Sequence, residues 1–344
     1  MLLKGLKMSA YDQIIQEVLN CQPDSLSAEI LDSPRPIVLR GIINQWPVVK
    51  SAKESSEQVL DYLSQFTTDE PLTVFRGDSN DDGRIFYNSD FTGFNFDVDA
   101  MPLSQLVTEI KQNYNQSDAP VLYVGSTMID KWLPGFRGQN DLVIEKYQSL
   151  ASIWMGNKSR IAAHYDFASN IACCVAGRRK FTLFPPGQLE NLYVGPLDFT
   201  PAGQPISLVD FKQPDFEKFP KFRTALKSAI EVELEPGDAL LIPSMWWHHV
   251  EALETFNILV NYWWRTSPRY MGSPLNVLQH AVMGLRDLPP EQRAVWQKLF
   301  EYYVFEPNEE NFEHIPKHAR GVLDEISEQM ASDIRNLLIS RLKR

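Results

Sequence analysis

Two short segments of the chain contain the residue types that bind metal ions. Six histidines occur among the 344 residues, and one of them lies in the tetrapeptide Ala163-His164-Tyr165-Asp166. On a β-strand, residues two positions apart point to the same face, so the His164 imidazole and the Asp166 carboxylate would project together, about 6 Å apart along the strand. Such a pair can chelate a single divalent ion, and a third ligand must come from elsewhere.

The segment Trp246-Trp247-His248-His249-Val250 is the candidate source of the third ligand. It follows a Pro-Gly-Asp turn and has the aromatic pattern of a buried strand. Two histidines and one carboxylate form a facial triad, which leaves one face of an octahedral metal open. This arrangement suits Fe(II) in oxygen chemistry, whereas Zn²⁺ usually takes four ligands and Mg²⁺ or Ca²⁺ prefers oxygen ligands.

A purely structural role competes with the metal hypothesis, because a His-x-Asp triplet alone has low specificity and histidines beside tryptophans are often packed core residues. The context favours metal binding, since both segments lie on predicted strands. The other histidines are expected to be structural or exposed. Strand alternation turns His249 away from a site that His248 enters, Pro316 disfavours a helical pair of His314 and His318, and His280 lies within a helical pattern.

The composition excludes several classes of protein. With 44% hydrophobic and 22% charged residues the chain is neither disordered nor fibrous, and its net charge of −11 disfavours broad binding of nucleic-acid phosphates. Cys21, Cys173 and Cys174 form no disulfide framework, and the vicinal pair should point to opposite faces of a strand. The segment MLLKGLKMSAYDQ lacks the apolar core of a signal peptide, and no apolar run approaches the roughly 20 residues needed to cross a bilayer. We therefore expect a cytoplasmic protein, or a nuclear one in a eukaryote, with no membrane partner.

The elements that must position these residues fall into three regions. Residues 1–115 alternate helical and extended patterns and should form an α/β region that packs on the rest; the apolar spacing of YDQIIQEVLN, for example, predicts a helix. Residues 116–270 contain short strands separated by Gly and Pro, which is typical of a sandwich or barrel, with an insert over one rim at 195–222. Residues 271–344 have helical periodicity, and their apolar side would either cover the barrel or form a homodimer.

The ordered motifs resemble those of a known family. AHYDFASNIACCVAGRRKFTLFPP, VDFKQPDFEKFPKF, PGDALLIPSMWWHHVEAL and NILVNYWW are similar to the jumonji-C/cupin-like 2-oxoglutarate dioxygenases, and within them to the asparaginyl hydroxylases that act on the hypoxia-inducible factor. The resemblance is most specific over residues 161–264. It implies a mainly β fold with flanking helices around a double-stranded β-helix (jelly-roll) core. It also implies Fe(II), 2-oxoglutarate as cosubstrate and O2, with decarboxylation to succinate coupled to hydroxylation of a substrate.

The resemblance assigns the site residues one by one. His164, Asp166 and His248 fall on the iron ligands, because the distal ligand of the family directly follows the tryptophan. The positions that match the cosubstrate pocket or its boundary with the substrate are Tyr123, Asn170, Asn261 and Trp263.

The chain departs from the family at two of these positions. The cation for the distal carboxylate of the cosubstrate falls on Arg179, two residues after Gly177, where the family usually has lysine. A guanidinium still offers a bidentate clamp. Strict alternation from His164 would instead turn Lys180 inward, and a bulge at Gly177 would restore Arg179. We favour Arg179 and keep Lys180 as the alternative. Ile161 replaces a threonine whose hydroxyl helps to bind the cosubstrate, which removes one hydrogen bond worth about 1 kcal/mol.

Three hypotheses on function remain open at the level of sequence. The first is hydroxylation of a side chain in a protein or peptide. The second keeps the chemistry but takes a tRNA base or a small molecule, and the net charge of −11 disfavours tRNA. The third is a non-catalytic cupin module that binds a metal, which a broken triad or a missing cation would favour. A zinc enzyme or an isomerase is weaker, because such cupins usually supply more histidine ligands.

Overall fold

The computed structural model describes residues 14–114, 116, 118–144 and 146–343. These residues divide into two compact units, one that ends at Arg265 and one that begins at Thr266. None of the helices in the described ranges combines the length and apolar character that a membrane crossing requires. The predicted boundary after residue 115 stays a prediction.

The strands of the described chain are β1 (Gln16–Val18), β2 (Ile37–Leu39), β3 (Pro71–Gly77), β4 (Arg84–Ile85), β5 (Phe96–Pro102), β6 (Val121–Met128), β7 (Leu150–Gly156), β8 (Ser159–Tyr165), β9 (Ser169–Ala176), β10 (Arg179–Phe184), β11 (Ile230–Leu234), β12 (Ala239–Ile242), β13 (Trp247–Ala252) and β14 (Asn257–Trp264). The α-helices are α1 (Ala28–Leu31), α2 (Pro47–Glu54), α3 (Ser56–Ser64), α4 (Leu103–Asn113), α5 (Ile129–Trp132), α6 (Phe222–Leu226), α7 (Pro274–Leu285), α8 (Pro290–Phe300) and α9 (Glu328–Leu342).

The strands form two sheets that face each other as a jelly roll, as predicted. The larger sheet has the order β1-β2-β12-β9-β14-β7-β6-β3-β5, and the smaller has the order β11-β10-β13-β8-β4. Side chains from both sheets share one buried cluster, in which Cys174 and Leu240 of the larger sheet meet Phe181 and Val232 of the smaller. Because alternate residues of a strand point to opposite faces, Cys173 belongs instead to the cluster on the other side of the larger sheet.

Helices cover that other face. In α3, Val59, Leu60 and Leu63 are buried at the spacing that one helical face requires, and the hydroxyl of Ser55 accepts the backbone N–H of Gln58 at the start of the helix. The buried residues of α3 and α4 join the same cluster as Cys173. The middle strands of the larger sheet, β9, β12 and β14, are therefore buried on both faces.

The segment predicted as the first helix contains a short strand and a turn in its described part; its first residues, 11–13, lie outside the described ranges. Strand β1 pairs in parallel with β2, so that Gln16–Val18 lies opposite Ile37–Leu39. The Arg40 guanidinium lies 2.7 Å from both the Glu17 and the Asp238 carboxylates. Pairing with the sheet overrides the helical spacing, because a helix of so few residues gains too little from its own hydrogen bonds.

The insert at residues 195–222 lies against the rim of the smaller sheet. The Ser207 backbone N–H donates to the Ala163 carbonyl at 2.7 Å. Ile206 is buried with Phe86, Tyr87 and Ala162. The insert therefore reaches the strand that carries His164.

The second unit consists of α7, α8, α9 and short helical turns. None of these three helices has a buried residue, and the buried hydrophobic residue of the described part of this unit is Phe312, which packs on Tyr302 and Tyr303. The Tyr270 hydroxyl donates to the Ile326 carbonyl at 2.6 Å. Much apolar surface of this unit is therefore exposed to solvent in the single chain.

Candidate metal centre and its cavity

His164, Asp166 and His248 lie together on the inner side of the smaller sheet. Strands β8 and β13 are antiparallel neighbours whose register places His248 opposite His164, and the centroids of the two imidazole rings are 4.3 Å apart. The His248 Nε2 atom lies 3.7 Å from Asp166 Oδ2. One ligand atom from each of the three residues lies within 4.8 Å of the others, which is close enough for a single ion to be held by all three.

Backbone carbonyls orient both imidazoles for metal binding. His164 Nδ1 lies 2.9 Å from the Ala162 carbonyl, and His248 Nδ1 lies 3.0 Å from the Trp246 carbonyl. Since a carbonyl oxygen only accepts hydrogen bonds, each Nδ1 carries the proton. The lone pair of each Nε2 is then available to a metal, the arrangement expected of histidine ligands.

Burial keeps the His248 ring neutral. Its pKa is lowered to about 4, first by loss of hydration and then by the neighbouring His164. His249 occupies the opposite face of β13, where its ring stacks on Phe211 at 4.6 Å, and burial lowers its pKa to about 3. At neutral pH both rings are uncharged, so His248 needs no deprotonation before it binds a cation.

These shifts predict that the metal-free protein loses stability as the pH falls below about 6.5. In that range the unfolded chain binds protons at His248 and His249 and the folded chain does not, so the free energy of unfolding falls with pH, by on the order of 3 kcal/mol per histidine by pH 4. Urea unfolding at pH 7, 6 and 5 measures the effect. His248→Gln should reduce the slope and the exposed His280→Ala should not. A constant free energy of unfolding across this range would contradict the prediction.

A cavity of about 400 Å³, part of it open to solvent, extends from the three residues into the barrel. The predicted site residues that line it are His164, Asp166, His248, Tyr123, Asn170, Arg179, Asn261 and Trp263. The lining residues that sequence reasoning did not single out are Trp154, Phe181, Ile242, Val250 and Leu259. All five lie on predicted strands, but only the registers of the strands show that they face the cavity.

Arg179 is a buried cation in this cavity. The residue is 3% exposed, and its Nε atom has no hydrogen-bond partner among the described residues. Asn261 Oδ1 and the indole N–H groups of Trp154 and Trp263 are likewise buried without a partner, although Asn261 donates to Asn170 at 2.8 Å. Burial lowers the pKa of Arg179 from its ordinary value. A buried guanidinium and several unpaired polar atoms in one cavity fit a polar, anionic ligand.

The register of β10 explains why Arg179 rather than Lys180 enters the cavity. Arg179, Phe181 and Leu183 lie opposite Ala252, Val250 and His248 of β13, and residues opposite each other in a ladder share a face. Lys180 points to the other side, where its ammonium lies 2.9 Å from the Glu231 carboxylate.

Tyr123 and Ile161 complete the polar and apolar sides of the cavity. Burial raises the pKa of the Tyr123 phenol above its ordinary value, so the hydroxyl keeps its proton at neutral pH. Ile161 lies on β8 opposite Val250 and lines the cavity with a hydrocarbon side chain. The hydroxyl that threonine would supply there is replaced by apolar surface.

Two histidines and one aspartate thus converge inside a jelly roll, where the three side chains could hold one metal ion. The chain belongs to the cupin-like domain family, which matches residues 23–270. It is 34% identical over 134 residues to "Lysine-specific demethylase JMJ31" of Arabidopsis thaliana. The aligned region covers 37% of this chain and 24% of that protein. The chain is 28% identical over 171 residues to "tRNA wybutosine-synthesizing protein 5" of Gallus gallus (45% and 51%), and 26% identical over 243 residues to "Lysine-specific demethylase 8" of Xenopus tropicalis (67% and 48%).

The chain thus spans between about a quarter and a half of the length of these curated relatives. The family-level resemblance predicted from the sequence is confirmed at the level of the cupin-like domain. The finer resemblance to asparaginyl hydroxylases stays a prediction.

Proposed function

We propose that this protein is an Fe(II)- and 2-oxoglutarate-dependent oxygenase that hydroxylates a side chain of a protein or peptide. The observation on which this depends is a buried arginine in the same cavity as the His-Asp-His triad, with an Nε that has no partner in the described part of the chain. The triad fits Fe(II), because among the described residues it offers two imidazoles and one carboxylate and no further protein ligand. The arginine fits the far carboxylate of a dicarboxylic keto acid. Bound together, Fe(II) and 2-oxoglutarate activate O2 for oxidation of a C–H bond.

The residues of the chain have separate tasks in this proposal. His164, Asp166 and His248 hold the metal at one end of the cavity. Arg179 binds the distal carboxylate of the cosubstrate, and the protonated Tyr123 hydroxyl donates a hydrogen bond to it. The paired amides of Asn170 and Asn261 and the indole N–H of Trp263 supply further polar contacts, with Trp263 also facing the substrate.

Apolar residues of the cavity keep water away from the reacting atoms. Phe181, Leu259 and Ile242 line the same cavity as the triad and the arginine. Ile161 replaces a hydrogen bond with apolar contact, so we expect slightly weaker binding of the cosubstrate, by about 1 kcal/mol, than with threonine at this position.

A protein substrate is favoured over tRNA by charge and by one group of relatives. The net charge of −11 repels RNA phosphates, and two of the relatives above are named lysine-specific demethylases. Another relative is named for wybutosine synthesis in tRNA, so a modified tRNA base is the second candidate substrate. We retain hydroxylation of an asparagine-like side chain, as in the asparaginyl hydroxylases, as the most specific form of the proposal.

Anaerobic titration of the protein with Fe(II) and 2-oxoglutarate tests the proposal. A metal-to-ligand charge-transfer band is expected only when both are present, because it arises from a keto acid chelated to iron. A non-catalytic cupin module or a zinc enzyme would give no such band, and that result would overturn the proposal. Succinate release is then compared after addition of histone peptides, asparagine-rich repeat peptides and total tRNA. Stimulation by tRNA alone would replace the protein substrate with the second candidate.

The chain is also proposed to act in a reducing compartment, the cytoplasm or the nucleus. Cys21, Cys173 and Cys174 are buried and free in the structure. Burial raises the pKa of Cys21 to about 11 and that of Cys174 to about 12, so both remain thiols rather than thiolates. This state is compatible with a compartment in which disulfides are rare.

We further propose that the second unit forms a homodimer. The described residues of this unit bury almost no apolar side chain, so we expect the unit to gain stability when a second copy covers its exposed apolar side chains. Interfaces of obligate homodimers are apolar in this way. The large hydrophobic residues exposed there include Val277, Met283, Val295, Trp296, Tyr302, Val304 and Phe305.

Phe305→Glu is expected to shift the protein from dimer to monomer in sedimentation velocity at micromolar concentration. Phe305 is 71% exposed in the single chain, so its replacement should not unfold that chain, whereas a charge in an apolar interface is costly. The control is Lys317→Glu, a charge change at another exposed position of the same unit. A wild-type protein that sediments as a monomer at all concentrations would contradict the proposal.

A further inference from the structure

The two oxygens of Asp166 have different neighbours. Oδ2 is the oxygen that lies 3.7 Å from His248 Nε2, whereas Oδ1 accepts a hydrogen bond from the side-chain amide of Gln204 at 3.2 Å. An ionised carboxylate only accepts hydrogen bonds, so the nitrogen of the Gln204 amide must face it. Gln204 thus contacts the carboxylate oxygen other than the one that lies 3.7 Å from His248 Nε2.

The backbone around Gln204 is held in place. Gln204 is half-buried, and the following Pro205 has a fixed φ and is buried. Ile206 packs into an apolar cluster, and the Ser207 N–H donates to the Ala163 carbonyl, directly before His164. The Ser207 hydroxyl donates to the Leu192 carbonyl at 2.5 Å. The amide therefore approaches Asp166 from a segment tied to the same strand as the metal-binding histidine.

We infer that Gln204 is a positioning residue for the metal centre. By holding Oδ1 it fixes the rotation of the carboxylate about its Cβ–Cγ bond, so that Oδ2 alone is presented to the ion beside His248. This inference rests on the metal site of the proposed function. Partners that hydrogen-bond to a ligand orient it and raise the affinity for the metal, because the ligand loses less freedom when the ion binds.

The same contact links metal binding to the insert. A bound ion immobilises Asp166, which is the acceptor of the Gln204 hydrogen bond. Because coupling is reciprocal, a contact that helps metal binding also makes metal binding stabilise the position of Gln204. Residues 195–208 are therefore more protected from amide hydrogen exchange with the metal bound than without it.

Binding of Co(II) to the whole chain tests the inference, because Co(II) reports its ligand geometry through its d–d absorption. Gln204→Leu, which keeps the side-chain size, should weaken Co(II) binding about 10- to 100-fold and change the d–d band. It should also remove the metal-dependent protection of residues 195–208. Gln213→Leu is the matched control, since Gln213 is an exposed glutamine of the same insert. The melting temperature of the metal-free protein should be the same for wild type and both variants.

The outcomes separate the inference from the proposed function. A wild-type protein that binds neither Co(II) nor Fe(II) overturns both. A wild type that binds Co(II), together with a Gln204→Leu variant of equal affinity and unchanged d–d band, overturns the inference and leaves the triad intact. Gln204→Asn keeps the amide but shortens its reach, so it should show the same losses. It serves as the test variant if Gln204→Leu has a lowered melting temperature.

Discussion

Replacing Asp166 with alanine is expected to abolish turnover of 2-oxoglutarate to succinate, both without substrate and with it. The variant keeps two imidazoles but loses the carboxylate ligand, whose negative charge offsets that of the cation. Since the loss of groups that merely support a ligand costs about 10- to 100-fold in metal affinity, loss of a ligand itself should cost at least as much. Metal content after dialysis and succinate release in excess Fe(II) measure the two effects. His164→Ala should behave in the same way.

The controls for this prediction are other histidines and the fold itself. His280→Ala, at an exposed position of α7, should leave metal content and turnover unchanged. Circular dichroism of Asp166→Ala should match that of the wild type, because the aspartate is partly exposed and its removal leaves no large cavity. Wild-type turnover by Asp166→Ala or His164→Ala in the presence of added Fe(II) would show that the triad is not the catalytic metal site.

Replacing Arg179 with alanine is expected to raise the KM for 2-oxoglutarate about 10- to 100-fold while leaving metal binding unchanged. A hydrogen bond to a charged group is worth about 1.5–3 kcal/mol, and each 1.4 kcal/mol is a factor of ten in binding. Arg179→Lys should recover part of this loss, because a lysine ammonium keeps the charge but not the bidentate geometry. Lys180→Ala, the neighbour that points to Glu231, should have a KM close to that of the wild type.

A stability measurement distinguishes a ligand-binding arginine from a structural one. In the metal-free protein the Arg179 Nε has no partner among the described residues, so Arg179→Ala removes a buried charge without breaking a hydrogen bond at that atom. We therefore expect its free energy of unfolding to equal or exceed that of the wild type. A large loss of stability in Arg179→Ala, or a larger rise of KM in Lys180→Ala, would show that Arg179 is not the residue that binds the distal carboxylate.

Local patterns in the sequence predicted a sandwich or barrel and the candidate metal ligands, and the resemblance to a known family added the jelly-roll core. Alternating apolar runs bounded by Gly and Pro identify the strands of a half-buried or fully buried sheet, because the side-chain period of two is a local property of the chain. The same period places His164 and Asp166 together and turns His249 away from His248. The ordered motifs of the family added the roles of the pocket residues, which no local pattern contains.

Contacts between distant segments decided the rest. Whether Arg179 or Lys180 enters the cavity depends on the register of β10 with β13, and on Gly177, whose φ of +69° and close approach to Phe256 exclude a side chain. Alternation could not be extended along the chain from His164 to β10, because the backbone leaves the extended conformation between β8 and β9 and again at Gly177.

Contacts between distant segments also explain strand β1 and the position of Gln204. Strand β1 replaces the predicted helix because β2 offers it backbone partners. Gln204 meets Asp166 through an insert that the sequence identifies only by its composition. The sequence by itself therefore predicted the candidate metal ligands and most of the runs that form strands, since both depend on near neighbours. Only the tertiary structure determined which side chains share the cavity, since that depends on registers and turns between segments far apart in the chain.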